Sequence, residues 1–328
     1  MSLSSAEKLE VIRLVEGSEL PVKRTLAELG VSRSSFYRWY RQYLDDGPEG
    51  LDPTSRAPRR FWNKLPESVK EQCLEIALQY PEQSPRELAW HITDEYHYFI
   101  SESSVYRLLK QYDLITSPAY ILMQAGDSFQ NPTKRVNELW QTDFTYFRIV
   151  GWGWYYLSTI LDDYSRYIIA WKLTTNMAAD DVKKTLDLAI ETTGVNAVKV
   201  KHRPRLLSDN GPCYLSSELK DYLGKHQMKH IRGAPYHPMT QGKIERYHRS
   251  MKNVVKLEHY YYPWELENAI KQFVHYYNHE RYHESLDNIT PADMYFGRYH
   301  EIMDRRAIIK YETLQQRRKD NLKLCVNQ

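Results

Sequence analysis

Apolar positions recur at helical spacing through the first third of the chain and switch to strand-like patterning near residue 138. In "SSAEKLEVIRLVEG", Leu9, Ile12 and Val15 follow at three-residue steps behind a Ser-rich start, which predicts a helix. "LPVKRTLAELGVSRSSFYRWYRQYLDDG" predicts two more, broken at Gly30, with Ser32 as the N-cap of the second. A helix, a short Gly-containing turn and a helix bearing Arg33, Ser34, Ser35, Arg38 and Arg41 form a helix-turn-helix pattern. Small and basic residues stand where base edges and phosphates are reached, so Arg33, Ser34, Arg38 and Arg41 are candidate DNA contacts. A purely structural three-helix bundle is the alternative. Residues 65–115 repeat the theme in "PESVKEQCLEIALQYP", "SPRELAWHITDEYH" and "ISESSVYRLLKQYDLI", with Ser84-Pro85 fitting an N-cap and first turn. This second unit reads either as another DNA-binding element or as a packing or dimerisation module.

At Glu138 the composition becomes aromatic and β-branched. Three consecutive antiparallel strands are expected at 138–149, 153–162 and 165–174, and a helix at 178–192. "RPRLLSDNG" and "KHIRGAP" read as short strands, with "SSELKDYLGKHQ" a helix between them. "MTQGKIERYHRSMKNVVK" and "YPWELENAIKQFVHYYNH" are the last long helices. Between the two tri-helical units, the Pro- and Gly-rich "GPEGLDPTSRAPRRFWNKLP" carries Arg56, Arg59, Arg60 and Lys64. It reads as an extended basic arm that tracks phosphates or enters a minor groove, or else as a solvated tether. The expected division is 1–48 helix-turn-helix, 49–64 basic linker, 65–116 second tri-helical unit, 117–136 linker, 137–298 α/β core and 299–328 basic C-terminal tail. The tail's "QQRRKDNLK" suits either DNA contact or a frayed, solvated helix.

Composition narrows the classes. The chain has 328 residues, enough for two or three domains, with 42% hydrophobic and 27% charged residues. Net charge is only +3, so a basic footprint has to be local. Tyr is abundant, 27 against 8 Phe, which suits wet polar partners or reflects a compositional habit. Three scattered Cys argue against a disulfide scaffold and the usual zinc site, and fit a reducing cytoplasm. Neither a signal peptide nor a membrane-spanning run is expected, nor is there a nucleotide-binding GxxxxGK[ST] loop.

Three carboxylates then stand out. Asp143 lies inside an aromatic strand, where an acid is costly without a partner. Alternation puts it on a face with Leu139, Gln141 and Thr145. Asp209 ends a strand before Asn210-Gly211, which alone would pass for turn chemistry. Glu245 is the one acid in the otherwise basic "HPMTQGKIERYHRSMKNVVK". Converging acids repel unless a cation neutralises them, and oxygen-only donors favour Mg²⁺. Two such ions, with Mn²⁺ as a substitute, would stabilise the attacking and leaving oxygens of an in-line phosphoryl displacement. Helical spacing aligns Glu245 with His248, Arg249 and Lys252, so these cations, with Lys243, are expected at phosphates. Ile244, Met251, Val254 and Val255 are left to the core. Asp162 and Asp163 read as turn residues, and His237 as either a DNA contact or a loop closure.

"WQTDFTYF", "LLSDNGPCYLSSELKDYL" and "APYHPMTQGKIERYHRSMK", in this order and spacing, resemble the catalytic core of bacterial insertion-sequence transposases of the retroviral-integrase superfamily, with an Asp-Asp-Glu triad. "LDDYSRYIIAW" and "YNHERYHESLDNITPADMYFG" extend the resemblance over about 138–298. It implies a multi-domain protein: N-terminal all-α helix-turn-helix units, then an α/β ribonuclease-H-like core with a mixed five-stranded sheet. It also implies Asp143, Asp209 and Glu245 as catalytic metal ligands and Lys252 as a contact to transposon-end DNA. Gln241-Gly242 replaces the Asn-Gly of many relatives, another amide for the same loop role. The zinc module of retroviral integrases is missing, since Cys73 is the only cysteine before Cys213. The implied protein is cytoplasmic and nucleoid-associated, and acts as a homo-oligomer on double-stranded DNA. It would bind terminal repeats, cut to free a 3′-hydroxyl, and join that hydroxyl to target DNA. A DNA-binding regulator on a retired core, or a nuclease of the same fold, are the alternatives.

Overall fold

The computed structural model describes residues 4–18, 20–51, 62–115, 133–197, 199, 202–232, 241–256 and 258–326. Arg56, Arg59, Arg60, His237 and most of the 117–136 linker lie outside the described residues. The chain divides into two compact units, residues 1–61 and 62–328.

The first unit packs α1 (Ser5–Glu16), α2 (Val22–Glu28) and α3 (Arg33–Asp46) around Ile12, Val15, Leu26, Phe36 and Leu51. Ser4 and Glu7 form a reciprocal capping box on α1. Ser32 Oγ accepts the amide of Ser35 at 3.2 Å and so fixes the start of α3. Each such cap stabilises its helix by roughly 1 kcal/mol. Gly30, at φ 66°, makes the left-handed turn between α2 and α3 that a side chain would disfavour.

The second unit begins with α4 (Glu67–Gln79), α5 (Pro85–Glu95) and α6 (Glu102–Gln111), packed around Cys73, Ile76, Leu88, Ile92, Val105 and Leu109. Ser84 and Glu87 form the capping box of α5, with Pro85 in its first turn. A five-stranded sheet follows: β1 (Leu139–Ile149), β2 (Gly153–Asp162), β3 (Ile168–Thr174), β4 (Arg205–Ser208) and β5 (His230–Arg232). The strand order is β3-β2-β1-β4-β5. β1, β2 and β3 pair antiparallel, whereas β1–β4 and β4–β5 are parallel. This mixed sheet, with helices on both faces, is the ribonuclease-H-like fold. α7 (Ala179–Thr193) crosses from β3 to β4, and α8 (Pro212–Leu215) and α9 (Ser217–Lys225) lead to β5. α10 (Gly242–Val255), α11 (Pro263–His279), α12 (Pro291–Tyr295) and α13 (Tyr299–Val326) complete the unit.

The period-2 pattern of β1 and β2 divides the core. Trp140, Ile160 and Leu206 face Val182, Leu186, Leu219 and Leu223 of α7 and α9. Phe147, Leu157 and Leu161 face Ile244, Met251, Leu266, Ile270 and Phe273 of α10 and α11. Trp140 is fully buried, and its indole N–H donates to Asn137 Oδ1 at 2.9 Å.

Three sequence expectations need correction. β3 begins at Ile168, not 165, because Ser165–Tyr167 are consumed by the turn: the Arg166 amide donates to Asp162 O at 2.9 Å, with Arg166 at φ 66°. Val254 is 53% exposed on α10, while Val255 takes the core position. The expected basic tail is the 28-residue helix α13, which turns Arg306 and Arg317 inward. No helix among the described residues is long and apolar enough to cross a membrane.

His283, between α11 and α12, carries a pH signature. Burial first, then the charges of Arg281, Arg166, Arg86 and Arg246, push its pKa down to about 3. Unfolded, it titrates near ~6.5, so between these values the unfolded chain binds the extra proton. The native state should therefore lose on the order of 1 kcal/mol per pH unit as pH falls below ~6. Urea unfolding midpoints from pH 7 to 4 should show this slope, and His283→Gln should flatten it; an unchanged slope in the variant would assign the acid sensitivity elsewhere.

Candidate catalytic site

β1 and β4 pair in parallel with Gln141 opposite Leu207. Two residues further, Asp143 and Asp209 come level at the end of the shorter strand. Asp143 is partly buried, and Asp209 is exposed just past the end of β4. The amide of Gly211 donates to Asp209 Oδ1 at 2.9 Å. A Cβ at Gly211 would stand 3.0 Å from that oxygen, so the tight turn that presents Asp209 favours glycine. Both aspartates act on the same neighbours. Burial, then Asp143 and Asp209, push the Tyr214 phenol well above its ordinary pKa, and the Cys213 thiol is raised by burial and by both charges.

The start of α10, the helix that carries Glu245, is held against β1 by a polar network. Gln141 is fully buried; its Oε1 accepts the amide of Ile244 at 3.2 Å, and its Nε2 donates to Asp163 Oδ1 at 2.7 Å. Lys243 Nζ donates to Asp163 Oδ2 at 2.8 Å and to Asp163 O at 2.9 Å. Gln241 Nε2 donates to Thr142 O at 3.2 Å, tying the amide of the last motif to β1. One helical turn beyond Glu245, His248 Nδ1 is 3.4 Å from Asp143 Oδ2 and its Nε2 is 3.2 Å from Thr159 Oγ1. Thr159 is the antiparallel partner of Asp143, so His248 lies over the Asp143–Thr159 pair. Glu245 itself is exposed.

Two expected phosphate contacts are thereby corrected. His248 is only 5% exposed because it packs on β1 and β2, and Lys243 is held in the ion pair with Asp163. Both side chains have partners within the protein, Lys243 at Asp163 and His248 at Thr159. Asp162 and Asp163 do form a turn, but a buried one: Asp162 accepts from Ser165 N, Ser165 Oγ and Asn137 N, and burial raises its pKa. Arg249 is exposed. Lys252 Nζ lies 4.5 Å over the exposed ring of Tyr146, a cation–π contact at the free part of β1. Its pKa is lowered by burial and by Lys256, and drawn back up by Asp143. On α3, Arg33, Ser34, Arg38 and Arg41 share an exposed face with Tyr37.

Sequence reasoning missed Gln141, Tyr214 and Tyr146. Gln141 had a usable signal, a polar side chain on the buried face two residues before Asp143. Tyr214 and Tyr146 were hidden among the many tyrosines.

The donor chemistry fits a hard divalent cation. The carboxylates offer oxygen alone, with Asp143 on β1 and Asp209 one residue past the end of the neighbouring β4. Among the described residues, however, no three His, Cys, Asp or Glu side chains come close enough to share one ion. Asp143 lies on β1, Asp209 just past the end of β4, and Glu245 on the helix that packs on β1.

Two integrase core domain models match residues 133–238 and 226–291. A helix-turn-helix domain matches 7–59 and a homeodomain-like domain 35–109. The chain thus matches integrase core domain models behind helix-turn-helix and homeodomain-like models, each over less than half of its length. The putative transposase InsK of insertion sequence IS150 from Escherichia coli K12 is a homologue, 26% identical over 160 residues, which are 48% of this chain and 54% of InsK. The Gag-Pro-Pol polyprotein of squirrel monkey retrovirus is 29% identical over 119 residues, 36% of this chain but 6% of the polyprotein. The chain therefore spans only a small part of the retroviral relatives and about half of InsK. Among solved structures, the simian T-cell lymphotropic virus intasome with a PP2A regulatory subunit aligns over 68% of this chain and 74% of its own, at 18% identity and TM-score 0.43. The HTLV-2 integrase catalytic core with magnesium aligns over 49% and 97%, at 21% identity and TM-score 0.40.

Proposed function

We propose that this chain is a DNA transposase that binds the terminal repeats of an insertion sequence, cleaves at their ends and joins the freed 3′-hydroxyl to target DNA. The observation that carries this reading is the level pair Asp143 and Asp209 beside a helix pinned to the same strand, which carries Glu245. Asp143, Asp209 and Glu245 would hold Mg²⁺. When bound, the metal supplies a polarised phosphoryl oxygen and an activated water or hydroxyl. The chain's own residues do the rest. Gln141, Lys243 and Asp163 hold the first turn of α10 against β1, and His248 orients Asp143. Lys252 and Arg249 face the phosphates flanking the cut. The α3 face, with Arg33, Ser34, Arg38 and Arg41, reads a repeat, and Arg56, Arg59 and Arg60 track its backbone. Two DNA ends have to be held together for joining, which calls for a homo-oligomer on DNA in the cytoplasm.

Two measurements test this reading. Wild-type protein should nick duplex DNA carrying the gene's flanking sequences at one position, only with Mg²⁺ or Mn²⁺; specific binding without nicking would favour a DNA-binding regulator. Lys252→Ala should weaken end binding and flatten the dependence of log K on log salt by about one unit, the loss of one phosphate contact. An unchanged slope would remove Lys252 from the DNA.

A further inference from the structure

Helix α13 has a use that the catalytic site leaves unexplained. Its Arg306 is 4% exposed and Arg317 is 6% exposed, in a helix otherwise rich in solvated charge. Arg306 grips Asp94 of α5 with both faces of its fork, Nε to Oδ1 at 2.8 Å and Nη2 to Oδ2 at 2.6 Å. The same guanidinium donates to Asp287 O at 3.2 Å and Asn288 O at 2.8 Å, beyond α11 in the core. Both residues hold left-handed backbones, φ 54° and 58°, in the loop that presents these carbonyls. The plane of Arg306 also lies 4.2 Å over Trp90 of α5 and 5.7 Å from the Tyr282 ring. One side chain thus joins α5, the end of the core and α13.

A second tie lies three turns on. Arg317 Nε donates to Tyr98 OH at 2.7 Å, its Nη2 donates to Phe99 O, and its charge lies 4.7 Å over the Tyr98 ring. The Phe99 amide donates to Thr313 Oγ1 at 3.1 Å. Tyr98 and Phe99 form the turn between α5 and α6. Asn321 Nδ2 reaches Trp62 O at 3.0 Å and Lys64 O at 3.2 Å, ahead of α4. Arg86 of α5 pairs directly with Glu284 at 2.6 Å. Planar, bidentate, stacked arginines hold one geometry, unlike surface lysine pairs. The opposite face of α6 stays exposed, with Tyr106, Arg107 and Lys110 outward.

We propose that α13 clamps the α4–α6 unit onto the catalytic core. Through this clamp, with the exposed α6 face of Tyr106, Arg107 and Lys110 set against DNA, Arg306 and Arg317 act as positioning residues that fix the spacing between that face and the phosphate cut at the acids. The spacing half of this inference rests on the transposase reading; the clamp itself does not. A tethered reader would tolerate inserted base pairs. A clamped one would not, because five extra pairs turn the duplex by half a revolution and ten displace it by about 34 Å.

The test has two arms. In full-length protein without DNA, spin labels are placed at Lys110→Cys and Leu188→Cys, with Cys213 and Cys325 replaced by Ser. Cys73 is buried, with its thiol pKa pushed up to about 11, and escapes labelling. The distance distribution should be narrow, and should broaden with Arg306→Met. Arg317→Met serves as the second variant should the first fail to fold. A broad distribution with both arginines intact overturns the clamp. In the second arm, cleavage is measured on native ends and on ends with five or ten base pairs inserted between the α6-protected segment and the cut. The unsubstituted protein should lose about a hundredfold on both insertions, the scale of misplaced reacting groups. Arg306→Met or Arg317→Met should cut all three substrates within about threefold of one another. Equal cutting of all three by the unsubstituted protein overturns the spacing role. Failure to cut even native ends would count against the transposase reading, and the spacing role with it, while the distance measurement still decides the clamp.

Discussion

Glu245→Gln should fold and bind end DNA as the unsubstituted protein does, yet lose cleavage by about a thousandfold or more. Glu245 is exposed on α10, and the contacts that seat the first turn belong to Gln241, Lys243 and Ile244. Replacing a carboxylate by its neutral amide keeps the shape and removes one negative charge. If that charge is worth about 4 kcal/mol in the transition state, the loss is roughly a thousandfold. Melting temperature and gel-shift affinity should stay within error. A variant that cuts at the normal rate in a nuclease-free preparation would take Glu245 out of the catalytic set.

Asp163→Ala should have the largest effect on stability, about 3–5 kcal/mol. Asp163 is 2% exposed and accepts from Thr133 Oγ1 at 2.6 Å, Gln141 Nε2 at 2.7 Å and Lys243 Nζ at 2.8 Å. Removing it takes the carboxylate from beside the Lys243 charge, 11% exposed, and leaves the buried Gln141 amide short of an acceptor. Because the same groups seat the first turn of α10, activity should fall together with stability. The double variant Asp163→Leu/Lys243→Met, with no charge left behind, should recover much of the loss. Urea midpoints decide the matter: a shift below about 1 kcal/mol for Asp163→Ala would mean that the pair is solvated and does not hold the site.

The helices and strands were legible because the apolar periods are clean. Leu9, Ile12 and Val15 mark α1, and the aromatic run from Leu139 marks the sheet. The acids stood out as candidates for a different reason: an Asp inside a strand and a lone Glu in a basic helix each violate a local preference. What the sequence hid was the use of polar side chains over long separations. His248 and Lys243 look like phosphate contacts on a helical wheel, but spacing alone does not tell that β1 and a buried Asp163 lie beneath them. Asp163 looked like a turn residue because its partners, Thr133, Gln141 and Lys243, are up to 80 positions away. The arginines of α13 read as a basic tail, DNA-contacting or solvated, for the same reason. Arg306 finds Asp94 across 212 positions, and no local pattern carries that information.

The most direct test of the central claim is strand transfer. Wild-type protein, Mg²⁺ and a labelled duplex ending in the gene's flanking sequence are mixed with a supercoiled plasmid, and joined products are sequenced. The account predicts covalent joining of the 3′ end to the plasmid at one defined terminal nucleotide, absent with Glu245→Gln and absent in chelator. Cleavage without any joined product, at matched protein and metal, would contradict it and leave a nuclease built on the same fold.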